Sequence, residues 1–356
     1  MKEYIAFDSH KHYTLVEWED VASGRVRQRR VEHEPGAIRA CLAGGEPGTP
    51  VAVEATGNWY WIVSEIEEAG LQPRLVHPRK AKLMMGMINK TDKLDVHGLN
   101  RLQRNNTLPA VWIPPGPLRD LRELTRFRMV LARHRTRLKN RLQANLAKFG
   151  LRLAEPVSDL FAAKVRPALE KLLEQLPEQT RWTSQMMLQQ LGQFHEQIGE
   201  LERRLGQLVK VTPEMELLMS LPGIGPLLSA VIWLEIGSID RFADGPHLAS
   251  YSGTTPRVHA SGGKVRYGRL RPDVNRYLKW AFVEAGNSVA VNYQRCPDRH
   301  VSRLYGRLRA RKGHPKAIGA VARHLAEATY HVLDRQEPYR DPLLGRISKG
   351  LSATLS

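Results

Sequence analysis

Short apolar runs of β type crowd the first hundred residues and stop at Pro114-Pro115-Gly116-Pro117, beyond which the chain reads as helix. Any sheet-built core must therefore be complete before residue 113. Tyr4 to Phe7 reads as a strand, and His12 to Trp18 and Arg25 to Val31 as two more, joined across Asp20-Val21-Ala22-Ser23-Gly24. A short helix from about Pro35 to Leu42 ends at Gly44-Gly45, and Pro47-Gly48 leads into a strand from Val51 to Glu54. The order is β-β-β-α-β. A helix from about Trp59 to Ala69, a strand around Arg74 to Val76 and a helix from about Arg79 to Arg104 follow.

Four acids punctuate this pattern. Asp8 closes the first apolar run and Glu54 the fourth, where a strand leaves the core and its last side chain meets solvent. Asp92 and Asp95 lie three apart in the helical stretch Lys90-Thr91-Asp92-Lys93-Leu94-Asp95, a spacing that puts both carboxylates on one helix face. Carboxylate-only sets suit hard ions such as Mg²⁺ or Mn²⁺, and paired ions of this kind catalyse phosphodiester displacement. Taken one at a time the acids have ordinary readings, a turn cap for Asp8 and a charged helix face beside Lys90 and Lys93 for the pair. Their ordered positions match the layout of an RNase H-like, RuvC-like nuclease core.

Charge points to the same substrate class. The formal net charge is +18, far beyond the needs of solubility, and a phosphate backbone is the commonest partner for such an excess. Cys41 and Cys296 are the only cysteines and form no C-x-x-C, which reads as a reducing cytoplasm without a zinc site. The apolar stretch near Leu227 to Leu234 is too short to span a bilayer, and no signal-peptide core precedes the first strand. No membrane partner is expected.

Past the proline linker, residues 119–152 carry eleven Lys or Arg and two acids, with Leu124, Leu131 and Leu138 at heptad spacing. Met187, Leu191, Phe194, Ile198, Leu201, Leu205 and Leu208 alternate steps of four and three, the signature of a coiled coil or helical hairpin. Its seam can lie within one chain or between two. From about Thr212, Gly-rich turns separate helices. Leu221-Pro222-Gly223-Ile224-Gly225-Pro226 resembles a helix-hairpin-helix turn, in which Gly223 and Gly225 bring backbone N–H groups to a phosphate; a plain helix connection fits as well. Ser261-Gly262-Gly263-Lys264 reads as a flexible loop beside a basic strip that includes Arg257, Arg266 and Arg269. Ser261 sits there as a glycine-loop serine or as a nucleophile whose transition state the nearby cations would stabilise. The tail after Leu343 reads as frayed.

Asp8, Glu54 and the Lys90-to-Asp95 run, together with Leu221-Pro222-Gly223-Ile224-Gly225, Gly253 through Arg257, Ser261-Gly262-Gly263-Lys264 and Gly268-Arg269, resemble the DEDD transposases of insertion sequences called the IS-one-ten family, to which Piv-type DNA invertases are related. The likeness covers nearly the whole chain in order. It implies a RuvC-like DEDD domain over residues 1–112, a helical coiled-coil region over 117–211, a mainly α transposase domain over 212–342 and a tail over 343–356. It further implies Mg²⁺, replaceable by Mn²⁺, on Asp8, Glu54, Asp92 and Asp95, and a covalent phosphoserine at Ser261. A dimer or tetramer in which one protomer's acids meet another's serine, and a structured bridge RNA that guides donor and target DNA, are also implied. The chain departs from the family pattern at Leu270-Arg271-Pro272-Asp273-Val274, after which only Asn275 and Leu278 fit well. Two other functions remain open from the residues: a metal-dependent nuclease or junction resolvase with a structural Ser261, and a non-catalytic nucleic-acid binding protein.

Overall fold

In the computed structural model the described residues are 3–86, 91–270 and 274–342, the Arg269 side chain excepted. Lys90, the divergent positions 271–273 and the tail after residue 342 therefore lie outside them. The chain divides into two compact units, Met1–Pro114 and Pro115–Ser356.

The first unit is a mixed α/β layer structure around a five-stranded sheet, which accords with the RNase H-like expectation. Strands β1 (Glu3–Ser9), β2 (Tyr13–Asp20), β3 (Val26–Glu32), β4 (Pro50–Glu54) and β5 (Gln72–Val76) lie in the order β3-β2-β1-β4-β5. β1, β2 and β3 pair antiparallel, while β4 pairs parallel to both β1 and β5. Alternation along the strands sorts side chains onto two faces. Ile5, Phe7, Val16, Trp18, Val51 and Val53 form one, closed by α1 (Ala37–Leu42) and α2 (Trp59–Glu68) through Ile38, Leu42, Ile62, Val63 and Ile66. Each of these large side chains contributes about 1.5–3 kcal/mol when fully buried.

The opposite face is small and polar. Ala6, Ala52 and Val76 meet Ala81 and Met85 of α3 (Pro78–Met85) and Val96, Leu99 and Leu102 of α4 (Asp92–Arg104). Two alanines on the central strands let the α4 backbone come close. The single helix expected from Arg79 to Arg104 is two helices. Gly86 caps α3 in the left-handed region (φ 61°), and Thr91 starts α4 by accepting from the Leu94 N–H. Asp92 and Asp95 thus sit in the first turn of a helix and not in its middle.

The second unit begins with α5 (Gly116–Lys148), which runs antiparallel to α7 (Glu178–Leu208), with α6 (Arg166–Glu174) packed between their far ends. The seam lies within one chain. Leu131 is buried, Leu138 joins Leu142, Leu188 and Leu191, and Leu124 joins Leu205 and Met215. A buried Asn145 Nδ2 donates to Ser184 Oγ at 2.9 Å across it, a polar contact that fixes register. Leu208 departs from the heptad reading and lies exposed at the helix end. The remaining elements are α8 (Pro213–Met219), α9 (Pro226–Ile236), α10 (Gly245–Tyr251), β6 (Pro256–Ser261), β7 (Lys264–Leu270), α11 (Arg276–Asn292), α12 (His300–Lys312) and α13 (His314–Arg335). Leu278, Phe282, Val321 and Leu325 centre their core. The apolar run at Leu227 to Leu234 is α9, an interior helix that meets this core on one side and the long hairpin on the other. Among the described residues no helix is long and apolar enough to cross a membrane.

Candidate functional site

Strand parity delivers the acids to one place. Asp8 follows Ala6 by two residues and Glu54 follows Ala52 by two, so both point to the face on which α4 lies. The parallel register pairs Ala6 with Ala52 and Phe7 with Val53, and one step further sets Asp8 beside Glu54 at the strand ends. The first turn of α4 then brings Asp92 and Asp95, where carboxylates also complement the positive end of the helix. Asp8 and Asp92 meet through His10, whose Nε2 lies 3.2 Å from Asp8 Oδ2 and 3.3 Å from Asp92 Oδ2. The ligand atoms of Asp8, His10 and Asp92 all fall within 4.8 Å of one another. Glu54 and Asp95, both half-buried, stand outside that three-residue cluster.

His10 was not among the residues the sequence singled out. The signal was present as Asp8-x-His10 at a strand end, a spacing that keeps both side chains on one side of extended backbone. Its surroundings hold it firmly. Its N–H donates to the Tyr13 carbonyl at 2.9 Å, and its own carbonyl accepts from Asn58 Nδ2 at 2.8 Å. Asn58 in turn accepts from Thr56 Oγ1 at 2.7 Å. The imidazole lies against the Tyr13 ring, 4.6 Å between centroids, and the Tyr13 hydroxyl donates to Asp92 Oδ2 at 2.9 Å. The Arg30 guanidinium covers the Tyr13 ring at 3.8 Å.

The electrostatics suit a cation. Burial raises the Asp8 carboxyl above the ordinary carboxylate range; His10 draws it down, and Asp92 and Asp95 push it up again. The hydrogen bond to Asp92 raises the Tyr13 phenol, with burial adding to it. Converging carboxylate oxygens and an imidazole nitrogen form a donor set that fits a divalent ion.

Beneath the cluster runs a polar layer. Glu17, fully buried on β2, accepts from Gln28 Nε2 at 2.7 Å and Asn100 Nδ2 at 3.0 Å, and lies 3.1 Å from His97 Nδ1. Glu19, also buried, pairs with Arg104. Both acids fall on the strand face under α4, so the helix that carries Asp92 and Asp95 is docked by directional bonds as well as by apolar contact.

Ser261 belongs to the other unit, and its loop reading is corrected. It is the last residue of β6 in a two-stranded hairpin, paired with Lys264 across Gly262 and Gly263. Both glycines have positive φ (56° and 73°), as a two-residue hairpin turn of this twist requires. Cross-strand pairs Val258 with Tyr267 and Ala260 with Val265 put apolar groups on one face; Arg257, His259, Ser261, Lys264 and Arg266 share the other. Both faces are exposed. Arg269 lies in β7, with its side chain outside the described set.

The glycines of the α8–α9 turn divide. Gly223 has φ +83°, and a Cβ there would sit 2.4 Å from the Ala285 carbonyl oxygen of α11, so packing alone demands glycine. Gly225 caps α9, and a Cβ there would meet open space. Asn275 beyond the divergent segment caps α11, accepting from the Tyr277 and Leu278 N–H groups, while its Nδ2 donates to buried Glu235 at 2.8 Å.

Two family models match the chain in this arrangement. A DEDD transposase model covers residues 5–150, which takes in the acid cluster, and the model described as the Transposase IS116/IS110/IS902 family covers 215–301, which takes in the α8–α9 turn and the serine hairpin. Curated relatives agree. A probable family 20 transposase of Pseudomonas aeruginosa is 25% identical over 83% of this chain and 86% of its own length. The transposase for insertion sequence element IS1111A of Coxiella burnetii is 24% identical over 82% of this chain and 79% of its own. A pilin gene-inverting protein of Moraxella bovis is 29% identical over 41% of this chain and 46% of its own. The acid cluster at the sheet edge and both family matches lead to one conclusion: the chain belongs to the IS110 family of DEDD transposases.

Proposed function

We propose that this transposase excises and inserts its own mobile element by metal-assisted strand cleavage and exchange, with Asp8, Glu54, Asp92 and Asp95 as metal ligands and Ser261 as nucleophile. The observation that carries the reading is the meeting of Asp8 and Asp92 around His10 at the C-terminal edge of the sheet. Mg²⁺, with Mn²⁺ as a substitute, would neutralise charge on the scissile phosphate. The Ser261 hydroxyl attacks phosphorus, a deoxyribose oxygen leaves with a proton, and the broken phosphodiester persists as a phosphoserine ester. Arg257, Lys264, Arg266 and Arg269 balance the charge that builds on the phosphoryl oxygens. Gly225, open where a Cβ would stand, lets the α8–α9 turn approach the DNA backbone, while Gly223 seats that turn against α11.

Residues 1–112 act in this scheme as the metal domain, 117–211 as the spacer and 212–342 as the serine-bearing domain. A dimer or tetramer lets the acids of one protomer serve the serine of another. A structured bridge RNA supplies target choice, a reading supported by the +18 charge. The work takes place in the cytoplasm.

DNA carrying the element's ends, incubated with Mg²⁺, tests the reading. Wild type should cut and rejoin, and Asp92→Asn and Ser261→Ala should each lose cleavage. The metal cluster is assembled wholly within the first unit, which favours a hydrolytic nuclease or resolvase as the second reading. Under that reading Ser261→Ala still cuts. Full recombination by protein stripped of RNA would remove the guide from the scheme.

A further inference from the structure

We propose that His10 is a nitrogen ligand of the metal centre and biases that centre toward Mn²⁺ over Mg²⁺; the inference rests on the metal reading above. Adjacent ligands of a six-coordinate ion with bonds of about 2.1 Å stand about 3 Å apart. His10 Nε2 already lies 3.2 Å from Asp8 Oδ2 and 3.3 Å from Asp92 Oδ2, so the nitrogen stands from each oxygen at about the separation of neighbouring ligands, with all three ligand atoms within 4.8 Å of one another.

The ring is also held in place by its neighbours. Metal-bound imidazoles depend on surrounding contacts to set their direction. Here the His10 backbone is fixed on both sides, by the Tyr13 carbonyl and by Asn58 Nδ2. The Tyr13 ring braces the imidazole, and Tyr13 is itself held by Asp92 and covered by Arg30. About a third of the side chain is exposed, which leaves an approach from solvent. Four carboxylates alone would favour a hard ion. An imidazole among them adds a softer donor that binds Mn²⁺ better than Mg²⁺.

The test uses the full chain with Mn²⁺ alone and pulsed electron paramagnetic resonance to detect ¹⁴N coupled to the ion. Wild type, His10→Gln and Asp8→Asn are compared, with calorimetric titrations of Mn²⁺ and Mg²⁺ and circular dichroism as the check on folding. His10→Asn replaces His10→Gln if the latter does not fold. We expect nitrogen coupling in wild type and none in His10→Gln. The ratio of Mn²⁺ to Mg²⁺ affinity should fall about tenfold, the lower end of what loss of a supporting group costs a metal site. Bound Mn²⁺ without nitrogen coupling, or an unchanged ratio in His10→Gln, would overturn the role of His10 and leave the metal centre standing. Failure of Mn²⁺ to bind wild type would overturn both.

Discussion

Asp8 stores a conflict between folding and function. Burial holds its carboxyl above the ordinary range, and Asp92 and Asp95 add to the effect against the pull of His10. Its favourable contribution to stability is whole below the unfolded carboxylate range and is lost as pH rises through the raised folded value. Metal-free protein should therefore gain stability on mild acidification, and Asp8→Asn should flatten that dependence. At neutral pH without metal, Asp8→Asn should melt higher, by about 2–4 °C for each kcal/mol relieved. Mg²⁺ should raise the melting temperature of wild type and leave the variant unmoved. Thermal melts across pH 4–8, with and without metal, check both expectations; a variant that melts lower than metal-free wild type would contradict them. Of the candidate residues in this unit, the four acids stood out in the sequence because two ended apolar runs and two shared a helix face, and the structure draws Asp8 and Asp92 of them into one cluster. His10 was not, since a histidine beside an acid has no periodic signature and gains meaning only when Asp92 arrives from a distant helix.

At the scale of elements, the decisive one is α4. Its seat combines two alanines on the central strands with the buried Glu17 network. Glu17→Ala removes the carboxylate that buried Asn100 donates to and that Gln28 and His97 also meet, and should destabilise the first unit by about 1–3 kcal/mol, the penalty for under-satisfying a buried polar group. Glu17→Gln should cost less. Urea unfolding gives the number, and an unchanged midpoint in Glu17→Ala would show that apolar contact alone seats the helix. The helix break before α4 was written in Gly86 and Thr91, but the long run of helix formers around them masked it. The serine hairpin carried a plainer sign, Gly262-Gly263 between two alternating runs, overlooked because its strands are exposed on both faces and lack a buried apolar side. Heptad spacing located the long helices, while the choice of an intrachain seam needed the Asn145–Ser184 contact and the packing of α6.

For the molecule as a whole, the second unit joins its long hairpin to its small-helix core through a buried carboxylate as well as through the apolar contacts of α9. Glu235 accepts from Arg126 at 2.7 and 3.0 Å and from Asn275 at 2.8 Å, with Arg122 Nε 3.8 Å away. Arg122, itself buried, also donates to the Leu234 and Glu235 carbonyls. Glu235→Ala removes the buried carboxylate that Arg122 and Arg126 share, although Arg126 keeps Glu123 at 3.8 Å, and should destabilise this unit by about 3–5 kcal/mol. A calorimetric scan should show loss of its transition while the first unit's survives; joint loss would contradict the division at Pro114. The same bond network anchors α11, whose cap Asn275 follows the segment after the serine hairpin, so the variant should also disturb the setting of Ser261. The central claim, that metal-holding acids and a serine form one phosphoryl-transfer site, is tested most directly by mass spectrometry of the protein after reaction with element-end DNA and Mg²⁺. The account predicts a nucleotide adduct on the peptide containing Ser261, absent from both Ser261→Ala and Asp8→Asn. Cleaved DNA with no adduct, or an adduct that survives in Ser261→Ala, would contradict it.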